Sequence, residues 1–254
     1  MYYLVKGEGP ILVLLHGYCD DHTIWEKVDE SLLANFKLIM PDMPGFGKSE
    51  ICRPQTVEAM ADKLKVILDA EQVRQAVVVG HSMGGYVALA FAEKYPEYLA
   101  GLGLFHSNAI ADTDEKKENR NKTIEFVENN GVEPFARTFV PNLFATGFNN
   151  KQVLEDTFVK ANNCTKEAVI ETAKALRDRP DRTKVLEEIT CPVLFLAGKT
   201  DNIVPYSLIM QHASLPKLSS IYPLNNVGHM GMLESPEKTI EYLTEFTQFC
   251  FARK

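Results

Sequence analysis

The chain lacks any apolar run long enough to cross a bilayer. Its densest stretch, Pro10 to Leu15, falls far short of the roughly 20 residues a membrane helix needs. The start of the chain lacks the basic, apolar and small-residue zones of a leader, so none is expected. Paired cysteines are also missing. Cys19, Cys52, Cys164, Cys191 and Cys250 are odd in number and irregularly spaced. No disulfide framework is expected, and a cytoplasmic setting is predicted. Basic residues are in deficit, 27 Lys and Arg against 34 Asp and Glu. That balance argues against nucleic acid, which needs a basic face.

Several motifs are absent too. No G-x-G-x-x-G follows a β-rich run, and no His or Cys pairs have ligand spacing, so neither a cofactor nor a metal is expected. Gly45-Phe46-Gly47-Lys48-Ser49 imitates the end of a phosphate loop, but the full pattern needs glycine where Asp42 stands. The segment is read as a structural turn with Asp42 bonding its amides. No internal repeat or low-complexity tract is evident.

What remains is a pattern of strands alternating with helices. Two β-rich runs flank the turn Gly7-Glu8-Gly9-Pro10, and the second, Ile11 to Leu15, is continuously apolar. Such a run suits a strand covered on both faces. Strands are predicted again at 36–40, 76–79, 99–105, 191–196 and 219–223. Helices are predicted at 21–34, 57–70, 86–95, 207–213 and 236–251 from apolar residues at helical spacing. This order implies an α/β fold, a mostly parallel sheet with helices on both faces. The alternation fails between residues 108 and 188, which read as helical throughout. The predicted organisation is a core of 1–107 and 189–254 interrupted by a helical cap at 108–188.

Gly80-His81-Ser82-Met83-Gly84 matches G-x-S-x-G. With glycine near 7% of residues, roughly one chain of this length in ten would match by chance. The setting is more specific than the motif. A β-branched run, Ala76 to Val79, leads in, and a helical stretch leads out, as a nucleophile elbow requires. The turn is tight enough to force a strained backbone at Ser82 and to exclude side chains at Gly80 and Gly84. Ser82 is the candidate nucleophile. The N–H of Met83, at the start of the next helix, is a candidate oxyanion donor.

A serine hydroxyl needs a base. Of six histidines, His229 lies in a glycine-flanked loop between the last strand and the last helix. Asp201 follows the 191–196 strand and is the candidate to orient it, with Asp112 or Asp114 as alternatives. The order Ser82, Asp201, His229 is the one expected for a catalytic triad on such a sheet. Gly17 after the first buried strand lets the chain pass close to the serine, with the N–H of Tyr18 as second oxyanion donor. His16 is expected to brace that loop, and His81 to bond locally.

With His16-Gly17, the run Asp42 to Ser49, the elbow at Gly80, Asp201 and Gly228-His229, the chain resembles the α/β-hydrolase superfamily over essentially its full length. Its His-Ser-Met-Gly-Gly elbow is similar to those of small carboxylesterases, enol-lactonases and C–C bond hydrolases. The resemblance implies an eight-stranded sheet with one antiparallel member, a helical cap and no cofactor. Met230 stands where many C–C hydrolases carry tryptophan. The expected activity is serine hydrolysis of a small carboxylic ester, lactone or thioester through an acyl-enzyme. The alternatives are C–C cleavage or a lyase reaction by the same triad, or a ligand-sensing receptor with slow or no turnover. Phe135, Phe139, Leu143, Phe144 and Phe148 in the cap are candidate pocket residues. They imply a substrate with an apolar part.

Overall fold

The computed structural model describes residues 1–253. Seven strands form one sheet: β1 (Tyr3–Lys6), β2 (Ile11–Leu15), β3 (Lys37–Pro41), β4 (Ala76–His81), β5 (Leu99–Phe105), β6 (Val193–Gly198) and β7 (Ser219–Leu224). Their spatial order is β1-β3-β2-β4-β5-β6-β7. Only β1 runs antiparallel, against β3. The count is one short of the eight implied by resemblance. The residues themselves offer seven strand-forming runs, and the segment ahead of β2 holds a single short strand before its glycine turn.

Helices α1 (Glu26–Leu33), α2 (Val57–Ala70) and α3 (Met83–Lys94) lie among the first five strands. Then come α4 (Asp114–Asn130), α5 (Val132–Phe139), α6 (Lys151–Asn162), α7 (Lys166–Asp178) and α8 (Thr183–Glu188), with no strand among the described residues between β5 and β6. The chain closes with α9 (Tyr206–His212), α10 (Gly231–Glu234) and α11 (Pro236–Ala252). None of these is long and apolar enough to cross a membrane.

Burial explains the composition of the central strands. Every residue of β4 is buried, which suits an unbroken apolar run covered on both faces. The edge strand β7 is mostly half-buried. The helices form two layers, α1 with α11 and α2 with α3. Helix α3 is buried from Met83 to Ala92, so it shows almost no polar face. It begins at Met83, three residues earlier than predicted, because the elbow itself is its first turn. The predicted helix 21–34 divides into a short 3-10 turn, His22–Trp25, and α1. Asp21 accepts from the Thr23 N–H and caps that turn.

Above the sheet edge, α4 packs on α7 and on α5, and α5 packs on α6. Helix α8 packs instead on α3 of the core. Just ahead of it, buried Arg182 reaches Glu58 on α2 and, at 3.0 Å, Glu93 on α3.

Candidate active site

The strand order reverses direction about β2: the chain goes from β2 out to β3, then returns to place β4 on the other side. The crevice at the carboxyl ends of strands beside such a switch is where α/β sheets place their ligands. Register makes those ends coincide. Leu15 pairs with Gly80, His81 with Phe105, Phe105 with Leu196, and Gly198 with Leu224. The loops that leave these positions carry Tyr18, Ser82, His106, Asp201 and His229.

Ser82 sits between β4 and α3 with φ 51° and ψ −114°. A non-glycine residue held there is strained, and such strain persists only where the surroundings over-determine it. The Ser82 N–H bonds the Phe105 carbonyl at 2.9 Å, and the Ser82 carbonyl accepts from Ser107 Oγ at 2.7 Å. A Cβ on Gly80 would lie 2.1 Å from the Gly84 carbonyl oxygen, and one on Gly84 would lie 2.5 Å from that of Leu15. Backbone atoms cannot yield, so both positions demand glycine. A Cβ on Gly17 would meet His81 Nδ1 at 2.8 Å and Ser82 Cβ at 3.4 Å. The loop after β2 therefore does run against the serine.

His16 braces that loop. Its Nδ1 donates to the Gly17 carbonyl and its Nε2 accepts from the Met43 N–H, both at 2.7 Å. Burial lowers its pKa and keeps it neutral. Asp42 organises the neighbouring turn as expected, accepting from the N–H groups of His22 and Lys48 at 2.8 Å.

His229 and Asp201 are joined. His229 Nδ1 donates to Asp201 Oδ2 at 2.7 Å. Asp201 Oδ1 accepts from the N–H groups of Ile203 and Val204 at 2.7 and 3.0 Å. Burial alone would raise the Asp201 pKa, but the neighbouring His229 and His106 rings and the hydrogen bonds they make hold it well below the usual carboxylate range. Asp112 is committed elsewhere, between Arg120 and Arg179, and Asp114 is an exposed residue at the start of α4.

The backbone of the His229 loop is also fixed. The His229 N–H donates to the Leu143 carbonyl at 2.7 Å, and the His229 carbonyl accepts from His81 Nε2 at 2.8 Å. Glu234 on α10 accepts from the N–H groups of Gly228, Met230 and Ala145. Burial and the neighbouring His229 and His106 push the His81 pKa well down, which suits a neutral ring bonded locally through Nε2.

Ser82, His81 and His229 line one cavity of about 60 Å³ together with Gly17 and Tyr18. Ligand pockets commonly span roughly 300–1,000 Å³, so this one admits only a small group. Of the five cap residues singled out in the sequence, Phe139 and Leu143 line it. The other three do not. Phe135 stacks on Phe139 with centroids 5.0 Å apart, and Phe144 stacks on Phe148 at 4.8 Å. Their rings pack the helical segment between β5 and β6 on itself. Tyr18 contacts Phe139 at 5.8 Å and donates its hydroxyl to the Val169 carbonyl at 2.7 Å, tying the loop to α7.

Three comparisons place the chain. The family described as alpha/beta hydrolase fold matches residues 10–236. The chain belongs to that family. A pimeloyl-[acyl-carrier protein] methyl ester esterase of Vibrio vulnificus is 26% identical, with 97% of each protein covered. A solved thermophilic esterase of Thermogutta terrifontis, in malate-bound form, is 34% identical with a TM-score of 0.93, over 98% of this chain and 93% of the other. An enol-lactonase of Burkholderia xenovorans LB400 has a TM-score of 0.90 over 97% of this chain, but 20% identity makes that a likeness of fold alone. This α/β hydrolase thus has esterases among its relatives.

Sequence reading missed His106. It is fully buried with φ 50°. Its Nδ1 lies 3.1 Å from Asp201 Oδ2, and its Nε2 accepts from the Gly231 N–H at 3.3 Å. The Gly198 N–H also approaches Nδ1, at 3.2 Å. One proton cannot satisfy both contacts, and the Asp201 charge favours Nδ1–H as donor. The signal was a histidine at the end of β5, where a loop joins the same sheet edge. Arg120 and Asp20, which also line the cavity, carried no local motif. Among the described residues two groups could offer ligands to a cation: His106, Asp201 and His229, and Asp21, His22 and Asp42. In each, histidine and carboxylate already bond one another, at 2.7 Å for His229 and 2.6 Å for His22. A cation would have to displace those bonds.

Proposed function

We propose that this α/β hydrolase cleaves small carboxylic esters, lactones or thioesters with an apolar part, and that Ser82, His229 and Asp201 are its catalytic triad. The observation that carries the reading is the strained Ser82 at the end of β4, facing the same cavity as a histidine already bonded to a carboxylate at 2.7 Å. Glycine contacts that no side chain could share hold the serine in that posture.

In the reaction, His229 Nε2 removes the Ser82 hydroxyl proton as Oγ attacks the acyl carbon. Asp201 fixes the tautomer that leaves Nε2 free and stabilises the imidazolium that forms. The tetrahedral oxyanion is met by the Met83 N–H, which has no intrahelical acceptor at the first position of α3, and by the Tyr18 N–H. His229 returns the proton to the leaving group, the ester carbon–oxygen bond breaks, and the acyl-enzyme forms. Water, deprotonated by His229, then attacks the acyl carbon; the bond to Oγ breaks as His229 returns that proton to Ser82, releasing the acid and restoring the free enzyme. Among the described residues the Ser82 hydroxyl takes no hydrogen bond, and a catalytic contact of this kind commonly tightens only when substrate is bound.

Residues 108–188 act as the cap in this reading, with α8 rooted on α3 where the chain returns to the core. Phe139 and Leu143 supply the apolar lining, and the 60 Å³ cavity favours short acyl or alcohol groups. The test is turnover of a nitrophenyl acetate or butyrate, with an initial burst for the acyl-enzyme. Ser82→Ala is expected to abolish turnover and burst. Undiminished activity in that variant rejects the assignment.

A further inference from the structure

We infer that Arg120 forms a carboxylate-binding subsite inside the cavity, so that the favoured substrate is a short ester, lactone or thioester carrying a second, free carboxylate. The inference rests on Ser82 being the nucleophile and goes further by naming the chemistry of the substrate's other end.

Arg120, on α4, lines the cavity with Ser82 and His229. Only its Nε is engaged, donating to Asp112 Oδ2 at 3.1 Å. Among the described residues neither terminal nitrogen of its guanidinium has a partner. Fixing Nε orients the planar head and leaves the two terminal NH₂ groups side by side. That end-on fork matches the two oxygens of a carboxylate.

Charge balance supports the same conclusion. Asp112 is buried and serves two guanidiniums, because its Oδ1 also pairs with Arg179 at 2.8 Å. Both terminal nitrogens of Arg179 are engaged, which makes it a structural cation. It donates to the carbonyls of Leu176 and Ile110 and lies 3.9 Å over the Tyr86 ring. Arg179 alone would neutralise Asp112. The trio Asp112, Arg179 and Arg120 therefore carries one surplus positive charge, and its uncommitted end is Arg120.

The other charged groups at the cavity do not cancel it. Asp20 is 4.0 Å from Lys160, so that pair balances itself. Burial raises the Asp20 pKa to about 7, despite Lys160, and reduces its negative charge further. His81 is kept neutral by burial. A half-buried, uncompensated guanidinium stands out in a chain of net charge −7. An apolar cavity with a few convergent polar groups is how small-molecule sites fix orientation. The carboxylate takes no part in bond making. It anchors the molecule while Ser82 attacks the ester at the other end.

The test compares half-esters with neutral isosteres: monomethyl succinate with methyl butyrate, and monomethyl glutarate with methyl pentanoate. Each pair differs by a carboxylate in place of a methyl group. The wild-type protein is expected to show a KM lower by roughly 10- to 100-fold for the charged member, the range of a hydrogen-bonded charge pair. Arg120→Gln collapses that ratio towards one through KM, and Arg120→Lys keeps part of it. Asp112 remains held by Arg179, and thermal unfolding of Arg120→Gln checks that the cap stays folded.

Calorimetric titration of the Ser82→Ala protein with the same compounds reads the subsite without turnover. Tighter binding of the half-ester, lost on adding Arg120→Gln, upholds the subsite even if no ester is turned over. Equal affinity for charged and neutral members overturns it even if ester hydrolysis is confirmed.

Discussion

The carboxyl edge of the sheet and the helical segment above it are specified by opposite kinds of constraint. At the edge, single atoms decide residue identity. Gly80, Gly84 and Gly17 face contacts of 2.1–2.8 Å that no Cβ tolerates, and Asp201 holds four donors in fixed directions. In the segment above, Phe135 against Phe139 and Phe144 against Phe148 are stacked pairs that other apolar pairs of similar volume could replace. One region is written in chemistry and the other in bulk. A sequence reveals the first far more readily than the second.

The largest expected effects lie at the edge. Ser82→Ala and His229→Ala should each lower kcat/KM for a short nitrophenyl ester by about 10⁴-fold or more, with Asp201→Asn close behind. Steady-state kinetics checks this, and a loss below tenfold would erase the contrast between the two regions. Next comes Gly80→Ala, where the new methyl group meets backbone that cannot move. It should cost at least about 3 kcal/mol, read as a lower urea midpoint.

The cap should respond differently. Phe144→Ala should lower stability by about 3 kcal/mol while leaving the ranking of esters by acyl length in place. Leu143→Ala, which opens the cavity, should move that ranking towards longer chains. An ester series on both proteins tests the distinction between packing residues and lining residues. His106 lies on the edge side of the division. His106→Leu removes the second donor to Asp201 and should lower kcat about 10-fold or more, the equivalent of one bond to a charged group. His106→Asn, which tolerates a positive φ and can still donate, should recover much of that loss.

The smallest effects concern pH. Asp20 is raised to about 7 by burial, so the folded protein holds a proton that the unfolded chain releases near the ordinary carboxylate value. Stability from this group declines as pH rises from about 4 towards 7. Asp20→Asn should therefore raise the Tm at pH 8 more than at pH 5. His16, His81 and His106 act in the other direction. Burial lowers each of them, so stability is lost as pH falls below about 6.5, where the unfolded chain takes up protons. Tm measured from pH 5 to pH 8 separates the two trends.

How far the residues alone could be read follows the same division. The strands were legible because apolar β-branched runs such as Ala76 to Val79 leave few alternatives. The elbow was legible because its glycines and serine are forced together within five residues. The alliance of His229 with Asp201 was legible from chain order and loop position. The eighth strand came from likeness and not from any run of residues. His106 was overlooked because its partner is 95 residues away and no local pattern marks the pairing. Of the cap phenylalanines only Phe139 lines the cavity, since helical spacing says which residues are buried but not whether they face a neighbour or a void. Arg120 carries no local motif, and only its place on α4 beside the cavity sets it apart from the other charges of that helix.

The bond from the His229 N–H to the Leu143 carbonyl, with Glu234 gripping Ala145 on one side and Gly228 and Met230 on the other, has a mechanical meaning. The helical segment above the cavity and the His229 imidazole are fastened to the same stretch of main chain. Displacing the main chain at 143–145 would therefore pull on the loop that carries the His229 imidazole.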